Sequence, residues 1–187
     1  MQNIIIGGSV RSGKTTLGNI IARKLSCSKV ESDSIVSAFD KVFPNLGIQH
    51  KDLNKARKNY EPFLFEFLKG LNKDLKYCGN RTVFVGSQFL PENINKFEQR
   101  DKYIIIFLGI NAPSANALLK KIRENDTTND WTHKRDDEWM LRCCQEIIND
   151  SEIIKKQCEK FGYYYFDTFN NREDVLSKIL QLIQKEI

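Results

Sequence analysis

The sequence lacks any apolar run long enough to cross a membrane; its longest, YIIIFLGI from Tyr103 to Ile110, falls far short of the roughly 18 residues that a span needs. Its five cysteines (Cys27, Cys78, Cys143, Cys144, Cys158) are odd in number and contain no CxxC pair, which argues against a disulfide framework and a zinc knuckle. Cys143 and Cys144 suit helical packing. His50 and His133 are isolated from one another and suggest no metal site. Four prolines, no low-complexity tract, no internal repeat and no Gly/Ser-rich linker leave little room for disorder. A net charge of +5 with no basic run of five or more favours an anionic ligand without calling for nucleic acid. The first residues carry neither a basic lead nor a small-residue cleavage site, so a secretory leader is not expected and a reducing cytoplasm is.

What remains is a chain of 187 residues, 41% hydrophobic and 28% charged, the size of one α/β domain spanning 1–187. Five β-like runs alternate with segments of helical spacing: NIIIG, SKVES, TVFVG, YIIIFLG and YYYFD. That alternation predicts a parallel sheet covered by helices, with the continuously apolar first and fourth runs at its centre. Leu17, Ile20, Ile21 and Leu25 predict one helix. Phe63, Leu64, Phe67, Leu68, Leu71 and Leu75 predict a second, and Val175 to Ile183 a last. The polar stretch RENDTTNDWTHKRDDEW, at 123–139, interrupts two helical segments and reads as a lid.

The opening stretch GGSVRSGKTT carries the chemistry. Gly8, Ser9, Val10, Arg11, Ser12, Gly13, Lys14 and Thr15 match G-x-x-x-x-G-K-[ST] at every fixed position, with Thr16 next, between a strand-like run and an amphipathic helix. Glycines let successive backbone N–H groups converge on phosphate oxygens, and the helix start adds partial positive charge. Lys14 would reach the β- and γ-phosphates and Thr15 would ligate Mg²⁺. The ligand expected is a nucleoside triphosphate.

Other motifs narrow the outcome. No convincing N-K-x-D follows a central strand, as a GTPase would have: NKDL at Asn72 and NKFE at Asn95 both depart from it. The third and fourth strand tips, VFVGSQ and IIFLGI, hold no acid to polarise water, which disfavours hydrolysis as the main reaction. The second strand ends in Glu31, Ser32 and Asp33. In a sheet of this kind ligands gather beyond the carboxyl ends of the strands, so Asp33 would take a proton from an attacking hydroxyl or hold Mg²⁺ through water. Alternatively, it or Ser32 caps the following helix.

Taken in order, GGSVRSGKTT, ESDS, VFVGSQFLPENI, YIIIFLG with its polar lid, and YYYFDTFNN resemble the small P-loop kinases, the group of shikimate, gluconate, adenylate and cytidylate kinases. The resemblance covers essentially the whole length. It implies a three-layer α/β/α P-loop NTPase fold with a five-stranded parallel sheet, ATP with Mg²⁺ as donor, and a lid whose arginines cover the phosphates. By position it implies that Arg123 stacks on adenine or reaches a phosphate, and that Arg135 and Arg142 answer transition-state charge. Thr168 and Asn170 would border the adenine. Each arginine would otherwise be a solvated helix charge.

Adenylate-type kinases carry an acid and an arginine after the third strand. This chain has Gly86, Ser87 and Gln88, closer to kinases of small hydroxylated metabolites. The acceptor side is expected within 34–81, with Arg57 and Tyr60 there, and with Ser87 and Gln88 at the tip of the third strand placed to hydrogen-bond an acceptor. The expected activity is ATP-dependent transfer to a small-molecule hydroxyl, by a monomer or homodimer that uses neither nucleic acid nor a membrane. A nucleoside monophosphate kinase and a nucleotide-binding regulatory module are the alternatives.

Overall fold

A computed structural model of the protein describes residues 2–128 and 130–187. Met1 and Asn129, the latter within the expected lid, lie outside the described residues. Five parallel strands, β1 (Asn3–Gly8), β2 (Ser28–Glu31), β3 (Thr82–Val85), β4 (Tyr103–Gly109) and β5 (Tyr164–Asp167), pair in the order β2-β3-β1-β4-β5. β1 and β4 are buried along their whole length, whereas β2 and β5 lie at the sheet edges and are partly exposed. The continuous apolar runs thus sit where both sheet faces are covered.

Side chains alternate across the sheet, and each face gathers its own core. Ile4, Ile6, Val83, Ile104 and Ile106 meet Leu17 and Ile21 of α1 (Lys14–Lys24) and Leu176, Ile179 and Ile183 of α7 (Arg172–Glu186). Ile5, Phe84, Ile105 and Phe107 meet Val36 of α2 (Ser32–Val42), Tyr60, Leu64 and Leu68 of α3 (Leu53–Cys78), and Ile154 and Cys158 of α6 (Asp137–Phe161). A short α4 (Pro91–Asn95) follows β3. A third cluster joins Leu118, Leu119 and Ile122 of α5 (Ala115–Asn125) to Met140, Cys144 and Ile147 of α6. Cys144 and Cys158 pack as small apolar residues, and burial pushes their thiols up to about 11 and about 12. No helix among the described residues is long and apolar enough to cross a membrane.

The polar interruption is shorter than its sequence suggests. α5 runs on to Asn125, and α6 begins at Asp137 because the Asp136 carboxylate accepts from the Trp139 N–H at 2.8 Å. Arg123 therefore lies in the last turn of a helix.

β3 lies on one side of β1 and β4 on the other. The chain changes direction across the sheet at the end of β1, and this opens a crevice over the carboxyl ends of the strands. The glycine-rich loop sits at that point.

Candidate active site

The phosphate loop is shaped by its glycines. Gly8 has φ 134° and a Cβ there would lie 2.0 Å from the Leu108 carbonyl oxygen, so only glycine fits. Gly13 has φ 90° and turns the chain into α1. Arg11 adopts φ 64° without being glycine, a conformation that costs about 1 kcal/mol and is held from outside the loop. Its carbonyl accepts from Arg172, and its guanidinium is gripped by lid carboxylates.

Within the described structure the N–H groups of Val10, Arg11, Gly13, Lys14, Thr15 and Thr16 have no backbone partner. Ser9 and Ser12 face inward: the Ser12 hydroxyl donates to the Ser9 carbonyl at 2.8 Å, and both residues are fully buried. Lys14 folds back over the loop and donates to the same carbonyl at 2.6 Å. Burial lowers the Lys14 ammonium to about 8, against the pull of Asp33 and Asp150 and with a small push from Arg57. Thr15 and Thr16 are exposed at the mouth.

On one side of the loop stand the ends of β2 and β3. α2 begins at Ser32 without a side-chain cap, so neither Ser32 nor Asp33 is occupied in capping it. The exposed Asp33 carboxylate accepts from the Gln88 amide at 3.2 Å. Glu31 turns away into an ion pair with Lys29. Below Asp33 lie Ser32, Tyr60 and Gln88. A Cβ on Gly86 would stand 2.5 Å from that of Ser32 and 2.8 Å from Gln88 Oε1. Burial pushes the Tyr60 phenol up to about 12, so it keeps its proton beside the Ser32 hydroxyl. Arg57, on α3, donates Nε–H to the Ser87 carbonyl at 3.0 Å and grips Asp150 of α6 through both Nη atoms, at 2.7 and 2.9 Å.

The other side is a narrow cleft lined by Ile110, Leu118, Thr168, Phe169 and Arg172, with a cavity of only about 30 Å³. Thr168 is buried, its hydroxyl set between the carbonyls of Ser12 and Gly109 at 2.9 and 3.0 Å; Asn170 is exposed. Thr168 thus ties β5 to the phosphate loop.

The lid is built around Arg123. Its guanidinium donates to the Asp137 carboxylate at 2.7 Å and to the carbonyls of Thr132 and Arg135 at 2.9 and 2.6 Å. Arg135 lies over the Trp139 ring at 4.9 Å and Arg142 pairs with Glu138 at 2.8 Å, both at the surface.

The structure thus gathers Ser9, Arg11, Ser12, Lys14 and Asp33 into one crevice, and brings Arg57, Tyr60, Ser87 and Gln88 beside Asp33. Arg123 and Arg135 are turned into the lid itself. Three residues that sequence reasoning missed complete the site: Asp150, Ser151 and Arg172. Ser151 of α6 donates to the Ile147 carbonyl at 2.7 Å, accepts from the Ile110 N–H at 2.9 Å and lies 2.8 Å from Ser9 Oγ. The signal for Asp150 and Ser151 was two polar residues interrupting the apolar stripe Ile147, Ile148, Ile154 and Cys158 of one helix.

A parallel sheet with a glycine-rich loop at its switch point, six N–H groups from Val10 to Thr16 without a backbone partner among the described residues and a lysine beside them, defines a P-loop nucleotide-binding protein. No family model matches the sequence. A shikimate kinase from Caldicellulosiruptor bescii is 31% identical over 132 residues, covering 68% of this chain and 67% of that relative. Among solved structures, shikimate kinase from Bacteroides thetaiotaomicron matches with a TM-score of 0.59 at 17% identity, over 98% of this chain and 97% of that one. A gluconokinase from Sinorhizobium meliloti 1021 matches at 0.54 and 16% identity, over 99% and 97%. The chain belongs to the family of small P-loop kinases that includes the shikimate kinases. It is a kinase, ATP-dependent and acting on a small molecule.

Proposed function

We propose that this kinase transfers the γ-phosphoryl group of ATP to a hydroxyl of a small molecule seated beside Asp33, on the Gln88 and Tyr60 side of the phosphate loop. The observation that carries this reading is the Asp33 carboxylate, exposed, unused as a helix cap and close enough to act on the Lys14 charge. A carboxylate so placed orients the acceptor hydroxyl and takes its proton as the bond to phosphorus forms. Lys14 and the unpaired loop N–H groups from Val10 to Thr16 hold the phosphate oxygens. The Thr15 hydroxyl and the Asp33 carboxylate are hard oxygen donors that fit Mg²⁺, whose chemistry would be to neutralise the phosphate charge. Thr168 braces the loop on the base side, and Asn170 borders the base. Arg123 shapes the lid, and Arg135, which rests on the Trp139 ring without a carboxylate partner among the described residues, would leave that ring to reach the phosphates. The lid, with 34–81 on the acceptor side, works within one domain, and the five free cysteines suit a reducing cytoplasm.

The test is ADP release with ATP and Mg²⁺ across a panel of sugars, polyols, hydroxy acids and nucleotides. The expected outcome is turnover that depends on a small hydroxylated acceptor. Stimulation by nucleoside monophosphates alone would assign a nucleotide kinase. No stimulation by any member, with ATP binding intact, would assign a regulatory module.

A further inference from the structure

Arg57 is 5% exposed and its guanidinium is held in a bidentate pair by Asp150, itself 18% exposed. Such a pair answers the arginine's charge and fixes its plane. The charges that act on Lys14 in this crevice are Asp33, Asp150 and Arg57. With Lys14 they make two cations and two anions, and a bound triphosphate takes Lys14 for itself. Among the described residues whose charges act on Lys14, none is then a cation left over for an anionic acceptor. A carboxylate entering there would face two acids, Asp33 and Asp150, with the charge of Arg57 already answered.

What this side does offer is uncharged. Ser32 Oγ, Tyr60 Oη and Gln88 Oε1 are buried and make no hydrogen bond of good geometry among the described residues, the Ser32 and Tyr60 hydroxyls standing beside each other. Two hydroxyls that donate or accept and one amide oxygen that accepts would suit several hydroxyl groups on one small molecule. Arg57 uses three of its five N–H groups on Ser87 and Asp150, and the two left over donate to hydroxyl oxygens without any change in its pairing.

The geometry points to an uncharged polyhydroxylated acceptor, a polyol or sugar, with Asp150 as the residue that excludes carboxylates. This rests on the kinase reading with the acceptor beside Asp33. It sets this chain apart from relatives named for shikimate and gluconate, both of which are carboxylates at neutral pH.

The test compares pairs that differ chiefly in that charge: glucitol against gluconate, and methyl shikimate against shikimate, within the wider panel. In the unaltered protein the uncharged member is expected to have a kcat/KM at least about tenfold higher, chiefly through KM, because a carboxylate there meets unpaired like charge. Asp150→Asn keeps the shape and one acceptor for Arg57 while removing the negative charge. It is expected to move each pair's ratio, measured at saturating ATP, about tenfold or more toward the carboxylate, with circular dichroism unchanged. A carboxylate preferred by the unaltered protein overturns the inference while leaving it a kinase. An Asp150→Asn protein that folds and keeps the original ratio overturns the role of Asp150. Turnover with no acceptor of either kind overturns the kinase reading and this inference with it. If Asp150→Asn does not fold, the matched pairs on the unaltered protein decide the acceptor class alone.

Discussion

The guanidinium of Arg11, in the phosphate loop, donates to the Asp126 carboxylate of the lid at 2.6 Å across 115 residues of sequence. Asp126 is 2% exposed and also accepts from the Thr132 hydroxyl at 2.6 Å, while Arg11 takes Asp130 with its other amino group. Hydrogen bonds from Thr127, with Arg11, hold the Asp130 carboxyl down to about 2, so its half of this latch stays ionised through the physiological range. The loop and the segment that holds Asp126 and Asp130 are therefore coupled.

Asp126→Ala should release the lid from the loop. It leaves Arg11 and Thr132 without their shared acceptor at a buried point, a loss of about 1–3 kcal/mol. Amide hydrogen exchange in the described part of 126–136 should quicken by about tenfold or more, while β1 and β4 keep their protection. Unchanged exchange there would mean that the ion pair contributes nothing to lid order.

Lys14 should trade stability for binding. Its folded value near 8 lies below the ordinary 10.5, so the unfolded chain binds more protons between those values and the stability of the unliganded protein rises with pH across that window. Below about 8 the buried charge costs on the order of 1–3 kcal/mol. Lys14→Met, which leaves the Ser9 carbonyl with its Ser12 donor, should raise Tm by about 2–4 °C or more and abolish triphosphate binding. In the unaltered protein, ATP affinity should fall as pH passes upward through about 8. Calorimetry at that pH, in buffers of different ionisation enthalpy, should show proton uptake on binding.

Asp33→Asn should separate binding from transfer. Asparagine keeps the size and the contact with Gln88 but loses the charge that takes the acceptor proton. We expect kcat to fall by about 10²–10⁴-fold with ATP affinity changed only a few-fold. An intact kcat would remove Asp33 from the chemistry.

Ser151→Ala should loosen the phosphate loop from behind. The Ile110 N–H and the Ser9 hydroxyl lose their buried partner, which should cost about 1–3 kcal/mol in urea denaturation with an unchanged m-value. ATP affinity should weaken as well, since Ser9 anchors the loop. A change confined to stability would limit Ser151 to a structural brace.

The strands were readable because burial on both faces writes itself into consecutive residues. NIIIG, TVFVG and YIIIFLG need no partner to be recognised, and β1, β3 and β4 lie on them within a residue. The polar stretch 123–139 reads longer than the loop between α5 and α6 because helix caps outrank local polarity: Asp136 starts α6 amid charged residues, and α5 carries its last turn through Arg123. Arg123 looked free to meet a phosphate, yet the carbonyls it bonds belong to a loop whose course no local pattern shows.

The sequence by itself determined the donor half of the site and the layers around it, since the motif Gly8 to Thr15 and the helical and strand periodicities are local. Tertiary structure decided which charges remain available. Arg57 and Asp150 stand 93 residues apart on α3 and α6, and Arg11 and Asp126 lie 115 residues apart along the chain. Whether such pairs meet depends on the rotational phase with which each helix packs on the sheet, and that is a property of the assembled core rather than of any segment.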